Sequence, residues 1–306
     1  MHTGNRIIGI ASAVASSATF GLAPFFTLGL LAAGLSPFEV LSYRWGIAAL
    51  FLIAAGLATG RSFRLSGRDF GVVACLGLLR AATSFCLVTA YANIASGAAS
   101  TIHFMYPLAV AAAMMLFFRE RRSLGTLAAI AVSIAGAALL SAGGSGTGAG
   151  DPALGTAAAC MSVLTYGGYM VGVKNTRAAR IDSTALTCYV MGFGALLFLA
   201  GGWLTGGVRF IDDPHTWLYV LGLALPATAV SNITLVWAIK RIGPTLTSFF
   251  GALEPLTAVA IGIRVFGEPF TLSGAVGIVL ILGAVSLVLL RRDDSDHDRE
   301  APPPAG

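Results

Sequence analysis

Residues 19–60 read TFGLAPFFTLGLLAAGLSPFEVLSYRWGIAALFLIAAGLATG, and residues 165–206 read TYGGYMVGVKNTRAARIDSTALTCYVMGFGALLFLAGGWLTG. Overlaid at a shift of 146, they match Thr19-Phe20-Gly21 with Thr165-Tyr166-Gly167, Tyr43 and Gly46 with Tyr189 and Gly192, and Gly56-x-x-x-Gly60 with Gly202-x-x-x-Gly206. The same shift pairs Gly9 with Gly155, Ser16 with Ser162, Tyr91-Ala92 with Trp237-Ala238 and Gly97 with Gly243. A shift of 148 then pairs Pro107 with Pro255 and Glu120 with Glu268. One nearly constant offset over so many positions marks an internal duplication.

A bilayer core of about 30 Å takes about 20 apolar residues at about 1.5 Å per residue. Ten stretches have that length: 6–32, 37–59, 69–92, 97–118, 124–142, 153–173, 183–205, 215–239, 244–266 and 271–290. Each copy therefore holds five crossings, in residues 1–150 and 151–292. Five crossings leave the chain on the far side of the membrane, so the second copy must be inserted upside down. The expected fold is an all-α integral membrane protein, ten transmembrane helices as two inverted five-helix repeats around a central cavity. Halves of opposite topology can rock to open one side while the other closes.

Composition agrees. Of 306 residues, 11% are charged and 56% hydrophobic, against roughly 25% charged in a soluble domain. Mean hydropathy is +0.83, which excludes a disordered chain, and four cysteines are too sparse for a disulfide-stapled fold. Cys75, Cys86, Cys160 and Cys188 lie in apolar stretches and read as small packers. The first apolar stretch is too long for a signal-peptide core and reads as a span that stays.

The net charge of +5 is not gathered into a stripe, so nucleic acid is not the expected partner. On the face holding both termini fall Arg6, Arg61, Arg64, Arg68, Arg119, Arg121, Arg122, Lys174, Arg177, Arg180, Lys240, Arg241, Arg291, Arg292 and Arg299. The opposite face has Arg209 alone, and Arg44, Arg80 and Arg264 lie within spans. Both termini are expected to be cytoplasmic. Residues 293–306, acidic and then Pro-rich, read as a disordered cytoplasmic tail.

Trp237-Ala238, Gly243-Pro244, Glu254-Pro255 and Gly267-Glu268-Pro269 precede a Gly-rich last stretch. With the five-plus-five count, this resembles the drug/metabolite transporter superfamily, EamA-type family, over residues 6–292, and within it the aromatic amino acid exporters of the YddG kind. The resemblance implies ten helices around a cavity, transport of small metabolites, commonly outward across a bacterial inner membrane, and no cofactor. Members differ widely in cargo, and the shared landmarks describe the fold more than the ligand.

Ionisable side chains within a span are costly and mark function until a structural partner explains them. Glu254, ten residues into its span, and Arg80, eleven beyond Asp69, reach similar depth. They either pair to tie two helices together or meet a charged substrate. His103 precedes Pro107 by four residues, and Pro107 and Pro255 each remove one helical hydrogen bond, so both mark kinks or gates. Tyr106-Pro107 and Glu254-Pro255 are repeat equivalents and should face each other. Tyr91, Tyr166, Tyr169 and Trp237 offer stacking surfaces, with Asn232, Ser84 and Thr101 as hydrogen-bonding groups. Arg44 and Arg264 are shallow and are expected to snorkel. Glu120 and Glu268 fit helix ends, and the Gly-x-x-x-Gly pairs fit close packing within the bundle.

The expected substrate-binding residues are thus His103, Tyr106, Glu254, Arg80, Tyr91, Tyr166, Trp237, Asn232 and Tyr169, with no catalytic or metal-binding residues. The expected partners are a small-molecule substrate, best an aromatic or other amino acid, and the lipid bilayer. Oligomeric state stays open. A multidrug or nucleotide-sugar carrier, a channel-like facilitator and a membrane-embedded enzyme are the rival readings. The nucleotide-sugar carrier is disfavoured because only Arg80 is deep, and the enzyme because Asp212-Asp213-Pro214 reads as a turn. No G-x-x-x-x-G-K-[ST] motif signals a primary pump.

Overall fold

Polar caps decide where the apolar stretches become helices. A computed structural model describes residues 3–94, 96–119, 124–141, 150–254, 256–257, 260 and 271–284. Its helices are α1 (Thr3–Phe20), α2 (Ala23–Ala32), α3 (Pro37–Ala58), α4 (Gly67–Asn93), α5 (Ser96–His103), α6 (Tyr106–Phe118) and α7 (Leu124–Ser141). There follow α8 (Pro152–Asn175), α9 (Ser183–Leu204), α10 (Pro214–Ala224), a π-helical segment Leu225–Val230, α11 (Ser231–Ile242) and α12 (Pro244–Phe250). A last apolar helix, α13, spans Leu272–Ala284.

At the start of α3, the Ser36 hydroxyl accepts the Glu39 N–H while Glu39 Oε2 accepts the Ser36 N–H at 2.7 Å, with Pro37 at the first helical position. This capping box satisfies two amides that a helix start otherwise leaves without partners. Ser66, Asp151, Asp182 and Asp213 cap α4, α8, α9 and α10 in the same manner. Where a turn is expected before Pro214, Asp213 is extended and caps α10. Arg209, the lone cation expected on the outer face, clamps Glu39 at 2.9 Å, and that carboxylate holds its guanidinium above the usual range.

Seven of these helical stretches are long and apolar enough to cross a membrane: Gly4–Ala32, Pro37–Ala58, Gly67–Asn93, Ala98–Phe118, Pro152–Asn175, Ser183–Leu204 and Pro214–Ile242. They coincide with the first four and the sixth to eighth expected stretches. α7, α12 and α13 fall in the fifth, ninth and tenth and are shorter as described. Residues 255, 258–259, 261–266 and 285–290 of the ninth and tenth stretches, with Arg264 and Pro255 among them, and Glu120, Glu268 and the tail 293–306 lie outside the described residues.

Polarity runs opposite to that of a soluble protein. Leu116, Phe117, Leu124, Trp203, Leu204 and Leu218 point outward, while Arg44, Arg80, His103, Asn232 and many Ser and Thr are buried. Such outer faces belong in lipid. Many inward hydroxyls are satisfied within their own helix, as Thr83 bonds the Leu79 carbonyl at 2.8 Å and Thr187 the Ser183 carbonyl at 2.8 Å.

The main packing pairs are α3 with α9, α1 with α11 and α4 with α8. Gly56 and Gly202 allow it: a Cβ on Gly56 would strike Phe63 and approach Thr184, and one on Gly202 would strike Val208. Gly60 and Gly206 instead take positive φ, 63° and 122°, where their helices end. Tyr43 Oη donates to the Arg209 carbonyl and Tyr189 Oη to the Phe63 carbonyl, both at 2.6 Å. Tyr189→Phe and Tyr43→Phe should each cost about 1 kcal/mol, read as equal small drops in thermal unfolding temperature in detergent.

Candidate functional site

Arg80 is 1% exposed in the middle of α4. Its Nε donates to Asn232 Oδ1 at 2.9 Å and its Nη1 to Ser84 Oγ at 3.5 Å. The guanidinium carbon lies 5.1 Å from the Tyr166 ring, 5.4 Å from Phe20 and 6.0 Å from Tyr169. Neutral acceptors and ring faces thus surround a charge that normally demands a carboxylate.

Arg44 corrects the expectation of snorkelling. It is 4% exposed, donates from Nε to Thr228 Oγ1 at 2.6 Å and stands 5.7 Å from the same Phe20 ring. Its Nη2 has no partner. The depth count was a distance along the helix axis, whereas burial depends on the side to which the residue turns, and Arg44 faces the bundle.

Both cations are held through one wide turn. Pro226 lacks an N–H and sits in the π-helical segment, a geometry frequent at functional sites. Thr228 Oγ1 donates to the Leu223 carbonyl at 2.6 Å, five residues back, and accepts Arg44. The Thr228 carbonyl accepts Asn232 Nδ2 at 2.8 Å, which aims Asn232 Oδ1 at Arg80.

On the other side of Tyr166 stands His103, at 5.3 Å between ring centroids, and the Tyr106 ring meets Tyr166 edge-on at 4.6 Å. Ser162 Oγ donates to the Ala159 carbonyl at 2.6 Å, so the hydroxyl has only acceptor capacity left for His103 Nδ1 at 2.8 Å. The proton therefore resides on Nδ1, and Nε2 is a buried lone pair without a partner. Tyr106 Oη reaches Glu254 Oε1 at 3.4 Å. The Tyr169 hydroxyl, completely buried, also has no partner.

Seven of the nine expected residues, Arg80, His103, Tyr106, Tyr166, Tyr169, Asn232 and Glu254, meet in this cluster. Tyr91 borders it, within electrostatic reach of Arg44 and Glu254, and Trp237 stands apart. Tyr91 packs beside Ala90, Ala99 and Ala159 with its hydroxyl 3.5 Å from Ser100. Trp237 lies near the end of α11 under the Arg241 guanidinium at 6.0 Å. Pro107 opens α6 just after the break that follows His103.

Among the described residues the ion pairs are Arg61 with Asp182, Arg177 with Asp69 and Arg209 with Glu39. None of these includes Arg80, so Glu254 is not its ion-pair partner. Phe20, Arg44, Ser162 and Thr228 were not anticipated as site residues. Phe20 and Ser162 carried a signal as repeat partners of Tyr166 and Ser16, while Thr228 had only the nearby Pro226.

A polar pocket of about 320 Å³ lies apart from this centre, lined by Ser62, Arg64, Asp69, Arg177, Arg180, Ile181 and Asp182. Arg177 bridges Asp69 at 2.6 Å there, fastening the start of α4 to the turn after α8.

Comparison with known proteins accords with this architecture. A solved crystal structure has the same fold, with a TM-score of 0.77 at 20% identity over 95% of this chain and 99% of that one. An uncharacterized transporter of Archaeoglobus fulgidus is 28% identical over 125 residues, 41% of this chain and 44% of that protein. The uncharacterized transporter YetK of Bacillus subtilis is 21% identical over 194 residues, 62% of this chain and 58% of that protein. Protein WALLS ARE THIN 1 of Arabidopsis thaliana is 24% identical over 143 residues, 43% of this chain and 34% of that protein. The alignments thus span from about a third to under two thirds of these relatives' lengths. Residues 7–142 and 153–290 each match one and the same family model. Two such copies, on a helical bundle with apolar outer sides and a buried charged centre, make this chain a member of the EamA-like transporter family and a multi-pass membrane protein.

Proposed function

We propose that the protein is a secondary transporter that moves small amphipathic metabolites by alternating access, with aromatic or other amino acids as first candidates and export across a bacterial inner membrane as the direction. In this reading ten spans form two inverted five-helix repeats, residues 1–150 and 151–292, with both termini cytoplasmic. The observation that carries it is the buried cluster itself: Phe20, Arg80, His103 and Tyr106 from the first matched segment meet Tyr166, Tyr169, Asn232 and Glu254 from the second.

Symmetry supports the inverted arrangement. Phe20 and Tyr166, equivalent at the shift of 146, stack at 6.5 Å and 15°. Tyr106 and Glu254, equivalent at 148, touch. Tyr43 and Tyr189 are equivalent, and so are the Phe63 and Arg209 carbonyls that they reach in exchange. A Cβ on Gly21 would strike Thr257 and one on the equivalent Gly167 would meet Ala109, itself equivalent to Thr257. The α1–α11 and α4–α8 contacts likewise interchange when the halves are swapped. Reciprocal contacts of this kind are what a two-fold relation between the copies produces.

Reconstituted in liposomes, the protein should exchange labelled phenylalanine or a related metabolite faster than empty vesicles, with flux that saturates with concentration. Saturation separates a carrier from a channel-like facilitator. Flux that stays at the empty-vesicle level across amino acids, organic acids, amines and drugs would overturn the transporter reading of this site. A pH gradient that raises flux would assign proton coupling, for which Glu254 and His103 are the deep exchangeable groups.

A further inference from the structure

We propose that Arg44 and Arg80 together form a carboxylate subsite, so that the cargo is an organic acid whose acid group is required and whose amino group is dispensable. The proposal rests on the transporter reading and narrows it. Its foundation is a count of buried charge. Two guanidiniums lie 5.7 and 5.4 Å from one Phe20 ring, and neither belongs to an ion pair among the described residues. The carboxylate in the cluster, Glu254, touches Tyr106 instead. Burying an ion without a counter-ion costs several kcal/mol, and ring faces return only about 0.5–2 kcal/mol each. The chain maintains this cost with a dedicated frame: Thr228 holds Arg44 Nε, and Asn232, fixed by the Thr228 carbonyl, holds Arg80 Nε.

The frame engages the Nε side of each guanidinium and leaves Arg44 Nη2, 96% buried with its residue, unsatisfied. A structural arginine would have its fork filled by the protein, because an unmet buried donor is itself costly. A donor held ready beside a second cation and an aromatic face is what a carboxylate next to an apolar body requires. Beside two guanidiniums, an acid of charge −1 offsets one of the two positive charges. An amino acid brings its own ammonium as well and offsets none in net charge, which is why the amino group adds little. An amine increases the excess and should be rejected.

Matched acids and amines on the same scaffold test this: 3-phenylpropionate, phenylalanine and 2-phenylethylamine, with butyrate and butylamine as the aliphatic pair. Two readouts are taken, thermal stabilisation of purified protein in detergent and competition for exchange in proteoliposomes. At least one acid should stabilise and compete at a concentration tenfold or more below its amine. Arg44→Gln should weaken that acid at least tenfold. Thr228→Val, which keeps the charge and removes the acceptor for Arg44 Nε, should weaken it about threefold, and it carries the test should Arg44→Gln not fold.

An amine that binds as well as its acid, or acid affinity unchanged in Thr228→Val and in whichever Arg44 variant folds, overturns the subsite. Exchange of amines or amino acids without acid preference overturns the subsite and leaves the transporter standing. Acid binding without exchange of any compound leaves the subsite and overturns the transporter. Neither binding nor exchange overturns both.

Discussion

Arg80→Met should unfold at the same temperature as the wild type or higher, while cargo exchange falls by about a hundredfold. The two halves of this expectation come from the same contacts. Arg80 is 1% exposed and is held by Asn232, Ser84 and three rings rather than by a carboxylate. Exchanging buried charged groups for apolar side chains of similar volume is often neutral or stabilising by about 1–4 kcal/mol. The loss to set against this is two acceptors, Asn232 Oδ1 at 2.9 Å and the more distant Ser84 Oγ at 3.5 Å, of which the first costs about 1–3 kcal/mol; the Asn232 amide keeps its bond to Thr228. For cargo the balance is one-sided, because removing one partner of a buried charge pair costs about 2–5 kcal/mol. At about 1.4 kcal/mol per tenfold, about 3 kcal/mol within that range is about a hundredfold. Thermal unfolding and exchange on the same preparation decide it. A melting temperature lowered by several degrees with exchange per folded molecule intact would make Arg80 a helix tie instead.

Much of this architecture is legible in residue order alone. Ser36-Pro37, Asp151-Pro152 and Asp213-Pro214 announce helix starts within a residue or two, because a capping oxygen and a missing N–H are local facts. Depth along a helix is equally local, and it placed Arg80 and Glu254 at one level, while the repeat match set Tyr106 opposite Glu254. Direction around the helix axis is not local when all sides are apolar. Arg44 shows the consequence: seven residues into its stretch it looks superficial, yet α3 turns it toward Phe20 and Thr228. The widened turn Leu225–Val230 interrupts the regular α-helical hydrogen bonding, which the uniform reading of 215–239 does not anticipate. Trp237 illustrates the converse, since a repeat-matched aromatic marks an equivalent place in the two halves and not proximity to the centre. Phe20 stayed hidden because a phenylalanine in an apolar stretch has no unusual chemistry until two cations flank it.

Gly194→Val should behave in the opposite way to Arg80→Met, lowering the unfolding temperature by roughly 10 °C and leaving cargo affinity per folded molecule within about threefold. A Cβ at Gly194 would fall on the Trp45 ring, where α9 lies against α3. Trp45 has nowhere to go: it is 1% exposed and packs edge-on against Phe198 at 5.4 Å. Forcing extra carbons into such a contact costs about 1–3 kcal/mol and more when the neighbour cannot turn. Loss of close packing acts on the fold as a whole, because helix association in lipid depends on van der Waals fit between small and large side chains. Adding Trp45→Leu makes room for the valine, so the double variant should recover at least half of the lost stability although Trp45→Leu alone is destabilising. Recovery of that kind locates the strain between these two positions. If the double variant melts as low as the sum of the single effects requires, Gly194 is needed for some reason other than space for the Trp45 ring.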